Sequence, residues 1–232
     1  MSTDTTTLPL TRPVATALRG QPAEDGAGVR LTRVFQAQPR STLNLDPFLM
    51  LDEFASDQAD DYIAGFPSHP HRGFETVTYM LEGHMLHEDH LGNQGHLRDG
   101  DVQWMTAGRG IIHSEMPQQQ EGRMRGFQLW VNLPAKLKMS APGYQEFEAD
   151  SIPVEARDGG VSVKVISGVT DGGTTGPIGG GAVDALYFDI VLPAGTVFEE
   201  PVGDDRNAML AVYEGKVRVA HDTVEALSGV FL

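Results

Sequence analysis

Seven of the eight histidines in this chain fall between His69 and His113. Two of them form the segment His69-Pro70-His71, ahead of a strand-like stretch, and His113-Ser114-Glu115 follows a second such stretch. Neutral imidazole is a good ligand for iron, copper, nickel and zinc. Because residues two apart in a β-strand point to the same face, each segment can direct two ligands into one cavity. The spacing therefore predicts a metal site.

The composition limits the classes of function. The chain has 232 residues, enough for one large all-β domain or two smaller ones. It contains no cysteine, which excludes disulfides, thiolate zinc sites and cysteine nucleophiles. The formal net charge of -15 argues against direct binding to nucleic acid, where a basic patch is expected, although a contact with a DNA-bound protein stays open.

The chain also has no apolar run near the roughly 18 residues that span a bilayer. The first residues are polar and lack the basic and apolar regions of a signal peptide. We therefore expect a cytoplasmic protein that does not contact the membrane.

Short segments rich in β-branched and aromatic residues alternate with turns that contain Gly, Asn and Asp, and no long helical period is present. This pattern predicts an all-β fold, an antiparallel sandwich or barrel. Loops are expected at residues 20–28 and at the Gly-rich stretch 171–181, which is a connection or a lid. The predicted strands include residues 30–36, 76–81, 185–192, 208–213 and 216–220.

A faint internal repeat relates the two halves of the chain. Residues 78–83 are similar to residues 210–215, since both are a strand that ends in Glu-Gly at a turn. Two copies of one β-unit explain this economically. The second copy has Val197-Phe198-Glu199 where the first has its histidine pair, so we expect only the first copy to bind metal.

Longer motifs give a more specific indication. Residues 65–83 approximate the first cupin motif, and residues 100–113 approximate the second, with Thr106 in the proline position. The segments 69–79, 81–83, 100–108, 110–117 and 128–133, together with 46–48 and 51–54 upstream, resemble the pirin family in particular. The resemblance implies a bicupin that holds one metal, usually iron, in its N-terminal cupin. It places the ligands at His69, His71, His113 and Glu115.

The resemblance has further implications for function. Some pirins open flavonols such as quercetin by 2,3-dioxygenation with the ligand glutamate as base, which here is Glu115, and others are iron-dependent, redox-responsive partners of transcription factors or metabolic enzymes. The expected metal is Fe(II), with Mn, Ni, Cu or Zn as alternatives, and the expected substrate is a small aromatic compound. We expect a metal-binding cupin over residues 1–135 and a partial second cupin over residues 136–232, apparently truncated at its C-terminus.

The role of Glu75 stays open at this stage. Glu75 competes with Glu115 for the fourth ligand position, because it would share a strand face with His71, although deeper along the strand. Glu75 could instead accept a hydrogen bond from a ligand imidazole.

The other candidates near the site have ordinary alternatives. Surface roles are expected for most of the remaining histidines of the hairpin, with a site contact as the minor alternative for one of them, His87. Aromatic and sulfur-containing residues could line the cavity or belong to the core, and two arginines could receive an anion or form ordinary salt bridges. The histidines are His84, His87, His90 and His96, with His221 distant; the cavity candidates are Phe74, Trp104 and Met105; the arginines are Arg72 and Arg109.

Overall fold

The computed structural model describes residues 12–38, 45–179 and 183–232, and within these ranges it contains nineteen β-strands and four short 3-10 helices. The strands are β1 (Thr16–Arg19), β2 (Gln21–Asp25), β3 (Val29–Gln36), β4 (Phe48–Ser56), β5 (Phe66–His71), β6 (Phe74–Glu82), β7 (Met85–Asp89), β8 (Gln94–Leu97), β9 (Val102–Thr106), β10 (Ile111–Pro117), β11 (Met124–Asn132), β12 (Gly143–Phe147), β13 (Val154–Ala156), β14 (Ser162–Ser167), β15 (Tyr187–Val191), β16 (Met209–Val212), β17 (Lys216–Val219), β18 (Asp222–Glu225) and β19 (Ser228–Phe231). The 3-10 helices are Ala59–Asp61, Ala135–Leu137, Ala149–Ser151 and Asp158–Gly160. The predicted all-β architecture is confirmed.

Two antiparallel sheets form a sandwich in the first half of the chain. One sheet has seven strands in the order β12-β9-β6-β11-β4-β3-β2, and the other has four in the order β5-β10-β7-β8. Apolar side chains from both sheets meet in one core. This core includes Val29, Leu31, Phe54, Met80, Met85, Leu97 and Met124. The alternation of buried and exposed residues along a strand decides which side chains reach this interior.

The opposite face of the seven-stranded sheet is buried as well. Its residues form a second core with Ile166, Ile178 and Phe231 of the C-terminal half. Strand β6 shows the division: Val77 and Tyr79 belong to this second core, whereas Met80 belongs to the sandwich interior. Strand β6 is buried from residue 75 to residue 80, and it departs from the apolar sequence usual for a strand buried on both faces because Glu75, Thr76 and Thr78 lie in that span.

Three small sheets make up the C-terminal half, in the orders β13-β14-β15, β1-β19-β16 and β17-β18. Two strands cross the predicted boundary at residue 135. Strand β1 pairs with β19 in the C-terminal half, and β12 pairs with β9 in the seven-stranded sheet. The two halves are therefore interleaved, and the boundary at residue 135 stays a prediction.

The structure overturns part of the first predicted loop, whereas residues 171–179 of the second contain no strand or helix. Residues 21–25, within the predicted loop 20–28, form β2, which pairs with β3 across a turn. In the stretch 171–181, Ile178 is 3% exposed and packs into the second core, although residues 180 and 181 lie outside the described residues. Ala23 packs partly buried against the sandwich core and Ile178 is buried in the second core, so each segment is held against the rest of the fold.

No helix within the described ranges is long and apolar enough to cross a membrane. The cytoplasmic location stays a prediction.

Candidate metal centre

The two ligand segments lie on adjacent antiparallel strands. Strand β5 carries His69 and His71, and β10 carries His113 and Glu115. His69 lies directly opposite His113 in the register. Gly65 sits just before β5 at a φ of 61°, where an added Cβ would lie 2.9 Å from the Glu115 carbonyl oxygen. A side chain at position 65 would therefore push β5 away from β10 and separate the histidines.

Three imidazole nitrogens converge between these strands. The Nε2 atom of His69 lies 2.9 Å from Nε2 of His71 and 3.0 Å from Nε2 of His113. His71 and His113 are buried, and His69 is half-buried. The structure thus brings together the three predicted histidines, as the two-residue strand spacing requires.

The contact made by Nδ1 determines which ring nitrogen of neutral His69 carries the proton. Its Nδ1 lies 2.8 Å from the carbonyl oxygen of Pro67, which can only accept a hydrogen bond. Nδ1 therefore carries the proton in the neutral ring, and the Nε2 lone pair points toward His71 and His113.

His71 and His113 are held neutral. Burial, followed by the repulsion of the neighbouring imidazoles, lowers the pKa of each from 6.5 to about 3. Neutral imidazole is the form that binds metal ions. Around neutral pH these rings are therefore ready to act as ligands.

Glu115 projects toward the same region from β10. It is buried, and the Thr78 hydroxyl lies 3.1 Å from its Oε1 and 2.7 Å from Oε1 of Gln128. A ligand atom of Glu115 lies within 4.8 Å of ligand atoms of both His87 and His113. Glu115 is two residues after His113 and shares its face of β10, and its role as the fourth ligand stays a prediction.

The suggestion that Glu75 shares a strand face with His71 is wrong. A turn at Gly73, with a φ of 81°, ends β5 and begins β6, so the two residues lie in different sheets. Glu75 has the same strand parity as Val77 and Tyr79, which face the second core. Its Oε1 accepts a hydrogen bond from Thr106 at 2.7 Å, so the proposed role as acceptor for a ligand imidazole is not what the structure shows.

A cavity of about 280 Å³ opens beside the histidines. The Phe74 and Trp130 rings lie with centroids 4.6 Å apart and planes tilted by 36°, and both contact the His71 ring edge-on. The cavity is lined by Asp25, Leu31, Met50, Asp52, Phe54, Phe66, His69, Pro70, His71, Arg72, Phe74, Met85, Glu115, Gln128 and Trp130. One wall is therefore aromatic and much of the remainder is apolar, as expected for a small-molecule site.

The cavity candidates from the sequence divide into wall and core residues. Phe74 lines the cavity as suggested, whereas Trp104 belongs to the second core and Met105 packs against Ile111. Trp130 was missed. Trp130 is two residues after Gln128 and therefore shares its face of β11. This indicates a cavity residue only once the pairing of β11 with β6 is known.

Charged groups also border the cavity. Arg72 lines the cavity, and Arg109 is not among the described residues that line it. Asp52 receives two hydrogen bonds from Arg33, at 2.9 and 2.7 Å. Burial raises the pKa of Asp52 while the Arg33 contacts oppose that rise. This ion pair gives one side of the cavity a fixed polar edge.

His87 is the histidine whose position the sequence left open. It is 1% exposed, and its Nδ1 lies 3.3 Å from Nδ1 of His113. His90 and His96 are exposed, in agreement with the surface role expected for most of the hairpin histidines, and His221 is exposed too. His84 is half-buried and lies against His96. Strand parity with Met85, a core residue, was the available signal for His87.

The cluster fits a divalent metal with octahedral geometry. Ligands about 2.1 Å from a metal lie about 3.0 Å apart when they subtend a right angle, and about 3.4 Å apart in a tetrahedron. The two separations from His69 Nε2, 2.9 and 3.0 Å, are close to the right-angle value, and the ligand nitrogens of His71 and His113 lie within 4.8 Å of each other. Three histidines on one face of an octahedron, with Glu115 nearby, would leave positions open, unlike a closed tetrahedral zinc site.

Comparisons with known proteins agree with this geometry. A family model described as Pirin matches residues 28–131. A Caulobacter vibrioides protein named "Pirin-like protein" is 76% identical over 221 residues, which cover 95% of this chain and 79% of that protein. The chain belongs to the pirin family.

Other relatives of this pirin carry a more specific name. A Pseudomonas aeruginosa protein named "Putative quercetin 2,3-dioxygenase" is 57% identical over 203 residues, 86% of this chain and 70% of that protein. The crystal structure of a quercetin 2,3-dioxygenase from Acinetobacter baumannii matches with a TM-score of 0.80 and 30% identity, over 96% of this chain and 80% of that one. The bicupin fold of this pirin is confirmed, and the expected truncation of its second cupin stays a prediction.

Proposed function

We propose that this pirin binds one divalent metal ion, Fe(II) in the first place, through His69, His71, His113 and Glu115, and that it is a dioxygenase of flavonol-type aromatic compounds. The convergence of three Nε2 atoms beside an aromatic-walled cavity carries the proposal. The names of the Pseudomonas relative and of the Acinetobacter structure support the substrate class. The alternative metals Mn, Ni, Cu and Zn would use the same ligands.

The residues of the cavity have separable roles in this reaction. A divalent metal held by His69, His71, His113 and Glu115 would supply the Lewis-acid and redox chemistry that an oxidation by dioxygen needs. Phe74 and Trp130 offer an aromatic wall for contact with the ring of the substrate. Glu115, within reach of the cavity, accepts the proton of a phenolic hydroxyl, and Thr78 holds that carboxylate in place.

The apolar lining excludes water from the reacting groups. Met50, Phe54, Phe66 and Met85 line the cavity away from the histidines. A site with little water strengthens the electrostatic interactions inside it and prevents side reactions. The same lining favours an aromatic substrate over a small hydrophilic one.

Anaerobic loading with Fe(II), followed by quercetin and dioxygen, tests the proposal. Wild-type protein is expected to bind one equivalent of metal, consume quercetin and release carbon monoxide. His113→Ala should lose the metal and both signals, whereas His96→Ala, which alters an exposed histidine of the neighbouring hairpin, should retain them. Full metal content without quercetin loss would refute the substrate, and unchanged metal content in His113→Ala would refute the site.

A second function, recognition of a protein partner according to the oxidation state of the metal, is favoured by one observation. Ile112 is 46% exposed on β10 between the buried residues Ile111 and His113, and Leu91 nearby on the chain's surface is 60% exposed. Hydrogen exchange of residues 111–115 in the apo, Fe(II) and Fe(III) forms tests it. Equal protection in all three forms would exclude this function.

A further inference from the structure

A chain of hydrogen bonds runs outward from His113 to the carboxylate of Asp89. His113 Nδ1 lies 3.3 Å from His87 Nδ1, and His87 Nε2 lies 3.3 Å from the Tyr144 hydroxyl. The Tyr144 hydroxyl donates to Asp89 Oδ2 at 2.7 Å. The three contacts connect a ring of the candidate centre with the last residue of β7.

The proton positions along this chain follow from its outer end. Asp89 is ionised: burial raises its pKa, but hydrogen bonds from Asn93, Tyr144 and Leu91 outweigh burial and lower the pKa to about 2. A carboxylate only accepts hydrogen bonds, so the single Tyr144 proton lies on the Asp89 side. The Tyr144 oxygen can then only accept from His87, which places the His87 proton on Nε2.

The inner half of the chain is fixed in the same way. The neutral His87 ring has one proton, which the Tyr144 contact places on Nε2, so its Nδ1 has only a lone pair and must accept. His113 Nδ1 is therefore the donor, and His113 Nε2 is left with its lone pair facing His69. All three hydrogen bonds point away from the centre, toward Asp89.

We infer that His87, Tyr144 and Asp89 are positioning residues that hold His113 in the one neutral tautomer whose Nε2 can bind a metal. This inference rests on the proposed metal site. Outer partners of this kind fix the orientation of metal-binding imidazoles and increase their basicity, and their loss costs about 10- to 100-fold in metal affinity.

The groups around Asp89 lead us to expect that Asp89→Asn reverses the direction of all three hydrogen bonds. Its Oδ1 accepts from the backbone N–H groups of Leu91 and Asn93, at 2.8 and 2.9 Å. In Asp89→Asn these two donors keep the amide oxygen on their side, so the amide nitrogen faces Tyr144. The Tyr144 hydroxyl must then accept from it and donate to His87, which moves the His87 proton to Nδ1. His113 Nδ1 becomes an acceptor, and its Nε2 becomes protonated and blocked.

Nitrogen-15 NMR of the histidine rings in metal-free protein tests the tautomer directly. In the wild type, His113 should carry its proton on Nδ1, and in Asp89→Asn on Nε2. Asp99→Asn is the matched control, because Asp99 accepts a backbone N–H, from Gly83, on the same hairpin but outside the chain. A His113 proton that stays on Nδ1 in Asp89→Asn would overturn the inference.

Titration with Co(II), followed by its visible absorption, measures the consequence for binding. Asp89→Asn should bind about 10- to 100-fold more weakly than the wild type, and Tyr144→Phe less severely, because it interrupts the chain without reversing it. The double variant should recover to the affinity of Tyr144→Phe, since without the hydroxyl no reversal reaches His87. Purely structural damage would instead make the two losses add, and that result would overturn the inference.

These measurements separate the two proposals. Wild-type protein that shows the expected tautomers but binds no Co(II) would refute the proposed metal site alone. Co(II) binding by the wild type with an unchanged affinity in Asp89→Asn would refute the role of the hydrogen-bonded chain alone.

Discussion

The Thr78 hydroxyl lies 3.1 Å from Oε1 of Glu115, across the interior between the seven-stranded and four-stranded sheets. The same hydroxyl is 2.7 Å from Oε1 of Gln128. One hydroxyl has one proton, so it cannot donate to both oxygens at once. When Glu115 is ionised, Thr78 donates to it, and the Gln128 amide must present its nitrogen to Thr78, a choice that side-chain amides allow by a flip.

Thr78→Val should weaken metal binding while preserving the fold. The substitution keeps the shape of the side chain but removes the donor, which frees the Glu115 carboxylate to rotate. We expect about 10-fold lower Co(II) affinity, at the lower end of the range for outer partners of metal ligands. Thr76→Val, two residues earlier on the same face of β6, is the control and should bind like the wild type. Equal affinity in Thr78→Val would show that the hydroxyl does not hold Glu115.

The pair Glu115→Gln and Glu75→Gln identifies the carboxylate at the centre. Glu115→Gln should reduce the metal retained after dialysis, because a neutral amide replaces an anionic ligand. Glu75→Gln should retain the wild-type content, since Glu75 faces the second core and contacts Thr106. Elemental analysis of both proteins gives the answer, and loss of metal only in Glu75→Gln would reverse our assignment.

Arg125→Met should strongly destabilise the protein. Arg125 and Glu53 form a buried ion pair at 2.8 Å, with side chains 6% and 2% exposed. Removing one partner leaves an uncompensated buried charge, which typically costs about 3–5 kcal/mol. Urea unfolding measures the loss. Arg123→Met, which affects an exposed ion pair with Glu82, should change the unfolding free energy by less than about 1 kcal/mol.

Glu155 should make stability depend on acid pH. Hydrogen bonds from Thr170 and Thr174, with the Arg157 ion pair, lower its pKa from 4.5 to about 2. A lowered pKa in the folded state gives a contribution that is complete above pH 4.5 and is lost as the pH falls toward 2. The difference in melting temperature between wild type and Glu155→Gln should therefore shrink over that interval. A constant difference would show that Glu155 titrates normally.

The parts of the site that were predictable depend on spacing within one strand. The pairs His69 with His71 and His113 with Glu115 need only the two-residue repeat, and the strand pattern followed from β-branched residues between turns. Thr78, Trp130 and the position of His87 depend on which strands pair and in what register, which a single sequence does not specify. Glu75 was misplaced for a similar reason: the turn at Gly73 transfers the chain to the other sheet.

The pairing of β1 with β19 has a consequence for synthesis of the protein. Residues 16–19 leave the ribosome early, yet their partners are residues 228–231. Until those residues emerge, β1 has an unpaired edge that can attract other strands. The seven-stranded and four-stranded sheets do not include β1, so their strand pairs do not depend on it. The sheet β1-β19-β16 can therefore form only after residues 228–231 have been synthesised, which makes it one of the last parts of the fold to assemble.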